Sequence, residues 1–298
     1  MPTTTPAQMS LKNVLVPVDF SPLSEPAVKL AKALAQQHGS TIHLTNVIES
    51  LNVAGMSSNK FRKTDVERAM NDFRFIETRY FSGVKHETLV LDGDVTVSLL
   101  DAINERDIDL VVMATHGAEG CERLFMGSVT EELFRGARCP VLVTGPSVKE
   151  EFGRFASLSN VLYPMEITPS SIAAIPYLVS LIDANGSKVM LLHVAHPDIQ
   201  SATERQRIRD RLTSEMIELF PSRVKSSIAE VIVEFGPIAD TIIEFSVARH
   251  ADVIVLGVRR GRAFARSATH SPWSIAHQII AQAPCPVLTI REERQGTG

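Results

Sequence analysis

Asn13-Val-Leu-Val-Pro-Val-Asp-Phe-Ser21 returns 147 positions later as Asn160-Val-Leu-Tyr-Pro-Met-Glu-Ile-Thr168. Each stretch is a short apolar run that reaches a proline and then turns acidic and polar. The likeness continues outward in both directions along the chain. Ile42–Val47 matches Val189–Val194, and Gly93 matches Gly236. Asp109-Leu-Val-Val-Met113 matches Asp252-Val-Ile-Val-Leu256, and Cys139-Pro-Val-Leu-Val143 matches Cys285-Pro-Val-Leu-Thr289. Short apolar runs resemble one another easily, so two unrelated halves are the rival reading. Five blocks in one order, with nearly constant spacing, favour an internal duplication.

Within the first copy, strands and helices alternate. Asn13–Pro17 reads as a buried strand. Residues 26–37 place Ala27, Leu30, Ala31, Leu34 and Ala35 at helical spacing, with Ser24 as N-cap and Gly39 just past the end. Thr41–Val47 is the second strand, 61–81 a longer charged helix and His86–Leu91 the third strand. A helix over 95–104, a strand at Leu110–Ala114, a helix over 128–135 and a strand at Val141–Val143 follow. Nearly continuous apolar strands separated by helices imply a parallel sheet covered on both faces. Right-handed crossovers then imply an α/β doubly wound, flavodoxin-like sheet of order 3-2-1-4-5. The expectation is two such sheets in tandem: domain 1–147 and domain 157–298, joined through a linker at 144–159.

Bulk properties narrow the function classes. The chain of 298 residues has a formal net charge of −4, an unusual balance for a nucleic-acid binder. Arg259, Arg260, Arg262 and Arg266 form a local basic run, which reads more simply as a solvated loop. No apolar run is long enough for a membrane helix, and the first ten residues lack a signal-peptide core. The cysteines Cys121, Cys139 and Cys285 form no CxxC pair, so neither a disulfide framework nor a zinc site is indicated. A reducing, cytoplasmic setting is expected.

In a doubly wound sheet, ligands sit beyond the carboxyl ends of the strands where the order reverses, here between the first and fourth strands. After the fourth strand the sequence runs Met113-Ala-Thr-His-Gly-Ala-Glu-Gly120 and later reaches Gly127-Ser-Val-Thr130. A helix N-terminus offers free backbone N–H groups to an anion, and glycine lets that backbone come close. The alternative is that Gly117 and Gly120 are turn residues and Ser128 only a cap. Asp19 has the same ambiguity, as a ligand contact or as the turn residue before the helix that follows Ser21-Pro22.

The motifs that carry a resemblance are Val16-Pro-Val-Asp-Phe-Ser21, Met113-Ala-Thr-His-Gly117, Gly127-Ser-Val-Thr-Glu131 and Arg138-Cys-Pro-Val-Leu-Val143. Together they resemble the universal stress protein family in its tandem two-domain form, strongly over about residues 11–145 and weakly over 158–291. ATP-binding members carry G-x-x-G-x(9)-G-[S/T]. Gly117, Gly127 and Ser128 match it, while Ala114 stands where the first glycine is expected. The resemblance implies that Pro17, Val18 and Asp19 contact the adenine or ribose and that Val47 packs on the base. Met113, Ala114, Gly117, Gly127, Ser128, Val129 and Thr130 would complete the site, with the phosphates over Gly117, Gly127 and Ser128 and Ala114 packed against the nucleoside. The implied ligand is ATP, with or without Mg. It also implies that the domains pair through their fifth strands, Pro140–Val143 and Pro286–Ile290, with a homodimer as a further level.

The second copy departs from this pattern. Glu166 replaces Asp19, Arg260 takes the place of Gly117, and Trp273-Ser274 replaces Gly127-Ser128, although Gly257 keeps the first glycine. It reads as a degenerate site. No P-loop, H-E-x-x-H or G-x-S-x-G motif is present. His116 is a lone loop histidine, and Cys139 and Cys285 fit as small apolar residues. A phospho-acceptor regulator would need an acidic cluster at the first strand and a lysine just after the fifth; only Asp19 is present, and no lysine follows Val143 closely. The resulting expectation is a nucleotide-dependent signalling or chaperone-like module rather than an enzyme. A slow ATPase and a scaffold without nucleotide are the alternatives.

Overall fold

The computed structural model describes residues 9–49, 58–115, 127–149, 151–195, 198–199, 201–258 and 272–291, with the side chains of 58–62 and 272–274 excluded. Contacts divide the chain into two compact units, one holding the first repeat up to Leu142 and the other running on from Val143.

In the first unit the strands are β1 (Asn13–Pro17), β2 (Thr41–Ile48), β3 (His86–Asp92), β4 (Leu110–Ala114) and β5 (Val141–Thr144), which begins there. Its helices are α1 (Glu25–His38), α2 (Ser58–Tyr80), α3 (Val95–Glu105) and α4 (Ser128–Gly136). The strand order is β3-β2-β1-β4-β5, as the alternation implies. The ladders of β1 with β2 and β4, and of β2 with β3, are parallel. Val14, Leu15 and Val16 are fully buried, which is why the first run reads as unbroken apolar sequence. Gly39 closes α1 in the left-handed conformation (φ 70°), its N–H donating to the Ala35 carbonyl at 2.9 Å. Ser24 does stand at the N-cap, but its hydroxyl donates back to the Ser21 carbonyl and makes no cap bond.

The second unit repeats the plan. Its strands are β6 (Asn160–Pro164), β7 (Lys188–Ala195), β8 (Ile228–Phe235), β9 (Val253–Val258) and β10 (Val287–Arg291). Its helices are α5 (Phe152–Ala156), α6 (Pro169–Asn185), α7 (Ala202–Glu218), α8 (Ile238–Ala248) and α9 (Pro272–Gln282). The order is β10-β9-β6-β7-β8. The repeat is also visible in its fastenings. The Asn13 N–H donates to Asp109 Oδ2 and the Asn160 N–H to Asp252 Oδ2, both at 2.9 Å.

The expected linker needs a correction. Part of 144–159 forms α5, whose Phe152 and Phe155 are buried. From α5, Arg154 donates through Nε to Asp252 Oδ1 at 2.9 Å and through Nη2 to the His250 carbonyl at 3.0 Å. Asp252 is 2% exposed, so this pairing satisfies a carboxylate that burial would otherwise penalise.

One buried polar group lacks such support. His43, on β2, has neither ring nitrogen in a hydrogen bond. Burial, chiefly, holds its pKa below the ordinary value, with Arg106 assisting and Glu87, 3.6 Å from Nδ1, opposing. The second repeat has Met190 at the equivalent place. A folded-state pKa below the unfolded value means stability that is present above about pH 6.5 and lost as pH falls toward the folded pKa. His43→Met should therefore stabilise the first repeat by about 1–3 kcal/mol at pH 8, by removing unsatisfied nitrogens, and by more at pH 5. Urea unfolding of both proteins at the two pH values checks this. An advantage that shrinks on acidification would contradict it.

Candidate functional site

The β1–β4 ladder pairs Val14 with Leu110 and Leu15 with Val111, whereas the β1–β2 ladder continues to Pro17 opposite Thr45. Among the described residues, then, β1 and β4 part company at their carboxyl ends, where the strand order reverses. The exits of these strands and the start of α4 frame this crevice.

At the exit of β1, the Val18 N–H donates to the Thr45 carbonyl at 2.8 Å. Asn46 Nδ2 donates to the Val18 carbonyl at 2.9 Å. The exposed Asp19 accepts from the Ser21 N–H at 3.0 Å and from the Ser21 hydroxyl at 2.8 Å, both through Oδ1. Asp19 thus serves as the turn residue that one sequence reading anticipated, while standing on the rim of the crevice. Between them Phe20 has φ 60°, a left-handed conformation that bulky residues avoid. Its ring is held edge-on against Phe73 at 5.0 Å. Local strain of this kind costs about 1–3 kcal/mol and concentrates at functional positions. Its counterpart in the second repeat, Ile167, does not share the positive φ.

At the exit of β4, Met113 and Thr115 are buried and Ala114 is half-buried. The Gly127 N–H donates to the Thr115 carbonyl at 2.9 Å, pinning the start of α4 to the end of β4. A Cβ on Gly127 would stand 3.3 Å from that carbonyl oxygen, closer than side chains normally sit. Gly127 is the N-cap of α4, with extended backbone and no side-chain cap. The N–H groups of Ser128, Val129 and Thr130 therefore belong to the first turn, which has no intrahelical acceptors, at the positive end of the helix dipole. Ser128 is exposed, whereas Thr130 is 2% exposed, so its hydroxyl is part of the packing. Val47 is half-buried near the end of β2.

The structure therefore brings together Pro17, Val18, Asp19, Met113, Ala114, Gly127, Ser128, Val129 and Thr130 around the strand ends, with Val47 on the neighbouring strand. Gly117 lies outside the described residues, as do His116, Gly120, Cys121 and the arginines after Val258. Trp273 and Ser274 fall in the first turn of α9, with side chains outside the description. The sequence reading missed Phe20 and Asn46. Of the two, Asn46 left a signal, because His193 stands 147 positions later and its Nδ1 lies 3.0 Å from the Met165 carbonyl.

A separate cleft of about 220 Å³ opens between α1 and α2, lined in part by Phe20, Ser21, Glu25, Phe75, Arg79 and Tyr80. It adjoins the Asp19 turn but includes no residue of β4 or α4, and it falls below the usual volume of a ligand pocket. The Tyr80 hydroxyl donates to Glu25 and, with Lys29 and Arg79, holds that carboxyl below its usual range. The thiols Cys139 and Cys285 are pushed up to about 12 by burial, which suits packing rather than nucleophilic chemistry. Among the described residues, no cluster of three or more His, Cys, Asp or Glu could hold a metal ion. Nor is any described helix long and apolar enough to cross a membrane.

In the second repeat the start of α6 comes close against the end of β9. A Cβ on Gly257, the position of Ala114, would lie 2.4 Å from the Ser170 carbonyl oxygen and 2.9 Å from Ser171 Cα. The buried Tyr163 hydroxyl donates to the Ser171 carbonyl and ties down the start of α6. Gly257 thus has a packing reason to be glycine, independent of any ligand.

The chain is similar to known proteins over one repeat and, in one solved fold, over nearly its whole length. Universal stress protein MJ0531 of Methanocaldococcus jannaschii is 27% identical over 146 residues, covering 47% of this chain and 85% of that protein. Universal stress protein MJ0577 of the same organism is 26% identical over 151 residues, covering 44% of this chain and 93% of that protein. A universal stress protein structure from Archaeoglobus fulgidus superposes with a TM-score of 0.67 at 18% identity, covering 97% of this chain and 99% of that one, a likeness of fold. The family model for the universal stress protein family matches twice, over residues 10–145 and 158–291, so the chain belongs to the universal stress protein family in a tandem arrangement.

Proposed function

We propose that the chain is an ATP-binding stress-response module, nucleotide-dependent in signalling or chaperone-like contacts, whose single nucleotide site lies in the first repeat. The observation that carries this reading is the start of α4. A glycine N-cap, pinned to the Thr115 carbonyl, leaves the first-turn N–H groups at the carboxyl end of a doubly wound sheet. The residues fit a triphosphate through backbone donors at Ser128 and Val129 and through the exposed Ser128 hydroxyl. Gly117 completes the family pattern. Pro17, Val18, Asp19 and Val47 are assigned to the nucleoside end, and Met113, Ala114 and Thr130 to the floor. A Mg ion would travel with the nucleotide. In this reading the nucleotide-binding domain is 1–147. Domain 157–298 is assigned the degenerate site, because Arg260 and Trp273 stand where the first repeat has Gly117 and Gly127.

The setting proposed is the cytoplasm, and the action is binding rather than catalysis. Denaturing the ATP-saturated, desalted protein should release one adenine nucleotide per chain, read by mass spectrometry. Release of none would sink the proposal, and steady turnover in the ~1–10³ s⁻¹ range would replace it with the ATPase reading.

We further propose that the repeats pair through β5 and β10. Each is the terminal strand of its unit's order and is largely apolar, and open apolar edges are normally covered. Such pairing would join the two expected sheets into one. Proteolytic cleavage at the exposed Lys149, ahead of α5, should leave the halves co-eluting on gel filtration. Soluble halves that separate as monomers would refute the pairing.

A further inference from the structure

We infer that the second repeat carries an anion site of its own, built from Arg205 and Arg209 on α7 above Phe235, suited to a diphosphate or similar phosphorylated group. This inference is independent of the nucleotide site in the first repeat. The two guanidinium carbons lie 4.9 and 5.2 Å from the centroid of the same Phe235 ring. They are therefore no more than about 10 Å apart. Each is also fixed from its other side. Arg205 Nε donates to the Ile199 carbonyl at 2.5 Å and Arg209 Nε to the Val233 carbonyl at 3.2 Å.

These contacts leave the terminal N–H groups of both forks without a described anionic partner. Elsewhere in this repeat Arg154, Arg211, Arg223, Lys225 and Arg249 each face a carboxylate within 4 Å. Among the described residues no such pairing involves Arg205 or Arg209. Two half-buried cations within about 10 Å of each other repel, and an anion that bridges them relieves that repulsion while using the fork geometry of both.

The location supports the assignment. Phe235 ends β8 and pairs with Ala195 at the end of β7, so the arginines stand at the carboxyl end of the strands, where folds of this kind take their ligands. The first repeat keeps only part of this set: Arg62, Val66 and Asp92 stand 143 positions before Arg205, Arg209 and Phe235, so the second cation and the ring are missing there. Phe235, which carries the cationic pair, is on β8, two strands beyond β6 in the order β9-β6-β7-β8.

The test is an NMR titration of the full chain with inorganic pyrophosphate, following the arginine Nε–Hε signals. Those of Arg205 and Arg209 are identified by their disappearance in Arg205→Lys and Arg209→Lys. Both signals should shift saturably while those of Arg207 and Arg211 stay put. Arg209→Gln should weaken the titration of Arg205 about tenfold, the loss of one charge-assisted contact. The lysine variants, which keep the charge, should weaken it less. Local signals keep the readout separate from any pyrophosphate bound in the first repeat. No saturable shift, or equal shifts at all four arginines, would overturn the assignment.

Discussion

Gly257→Val should destabilise the second repeat by about 3 kcal/mol or more, while leaving the first repeat's ligand binding intact. The Cβ alone would sit 2.4 Å from the Ser170 carbonyl oxygen and 2.9 Å from Ser170 C and Ser171 Cα. All three are backbone atoms, which cannot swing aside as a flexible side chain would. Overpacking of this kind typically costs about 1–3 kcal/mol for added methylenes, and valine adds two methyl groups beyond the first clash. The start of α6 cannot easily retreat either, because the Tyr163 hydroxyl holds the Ser171 carbonyl from inside the core. The first repeat tolerates Ala114 at the equivalent place, where the chain opens α1 through a 3-10 turn at Pro22–Ser24. Ala114→Gly should accordingly change stability by less than about 1 kcal/mol. Urea unfolding of the three proteins decides the matter. A Gly257→Val midpoint within error of the parent would mean that the close approach is not a real constraint.

That contrast also shows what the sequence could convey. The strand order was legible because runs such as Val14–Val16 and Val253–Leu256 are apolar throughout, and because the turn positions Gly39 and Gly186 recur at one spacing. The acidic residues Asp109 and Asp252 recur as well, and the structure gives their reason, since each anchors the first N–H of a neighbouring strand. Helix α5 was not legible. Five residues are too few to show a helical period, and Phe152 and Phe155 sit among charges that read as linker. The left-handed Phe20 was equally hidden, because φ > 0 is expected of glycine or asparagine and not of phenylalanine. Gly257 misled in the other direction. It looked like the survivor of a binding motif, but the space it saves is filled by the protein itself. For the proposed first site, the pattern of Gly127 and Ser128 points to the start of α4. The pinning bond to Thr115 is a backbone contact that no side-chain motif encodes.

The nucleotide reading makes an equally large prediction. Gly127→Val would press a branched side chain toward the Thr115 carbonyl, already 3.3 Å from the first added carbon. It would also shield the first-turn N–H groups that are proposed to receive the phosphates. Those donors are backbone groups, so no neighbouring side chain can replace them. Loss of two or three charge-assisted hydrogen bonds corresponds to a weakening of about a hundredfold or more. The fold should survive. Gly127 lies at the N-cap with φ −60° and ψ 150°, a backbone conformation open to valine. Cap substitutions of this kind cost about 1 kcal/mol.

Calorimetric titration of ATP into the full chain and into Gly127→Val, with urea midpoints measured on both, tests the central claim most directly. The account predicts one saturable site per chain in the parent and its loss in the variant at near-parental stability. A variant that binds ATP as tightly as the parent, or a parent that binds none, would contradict it.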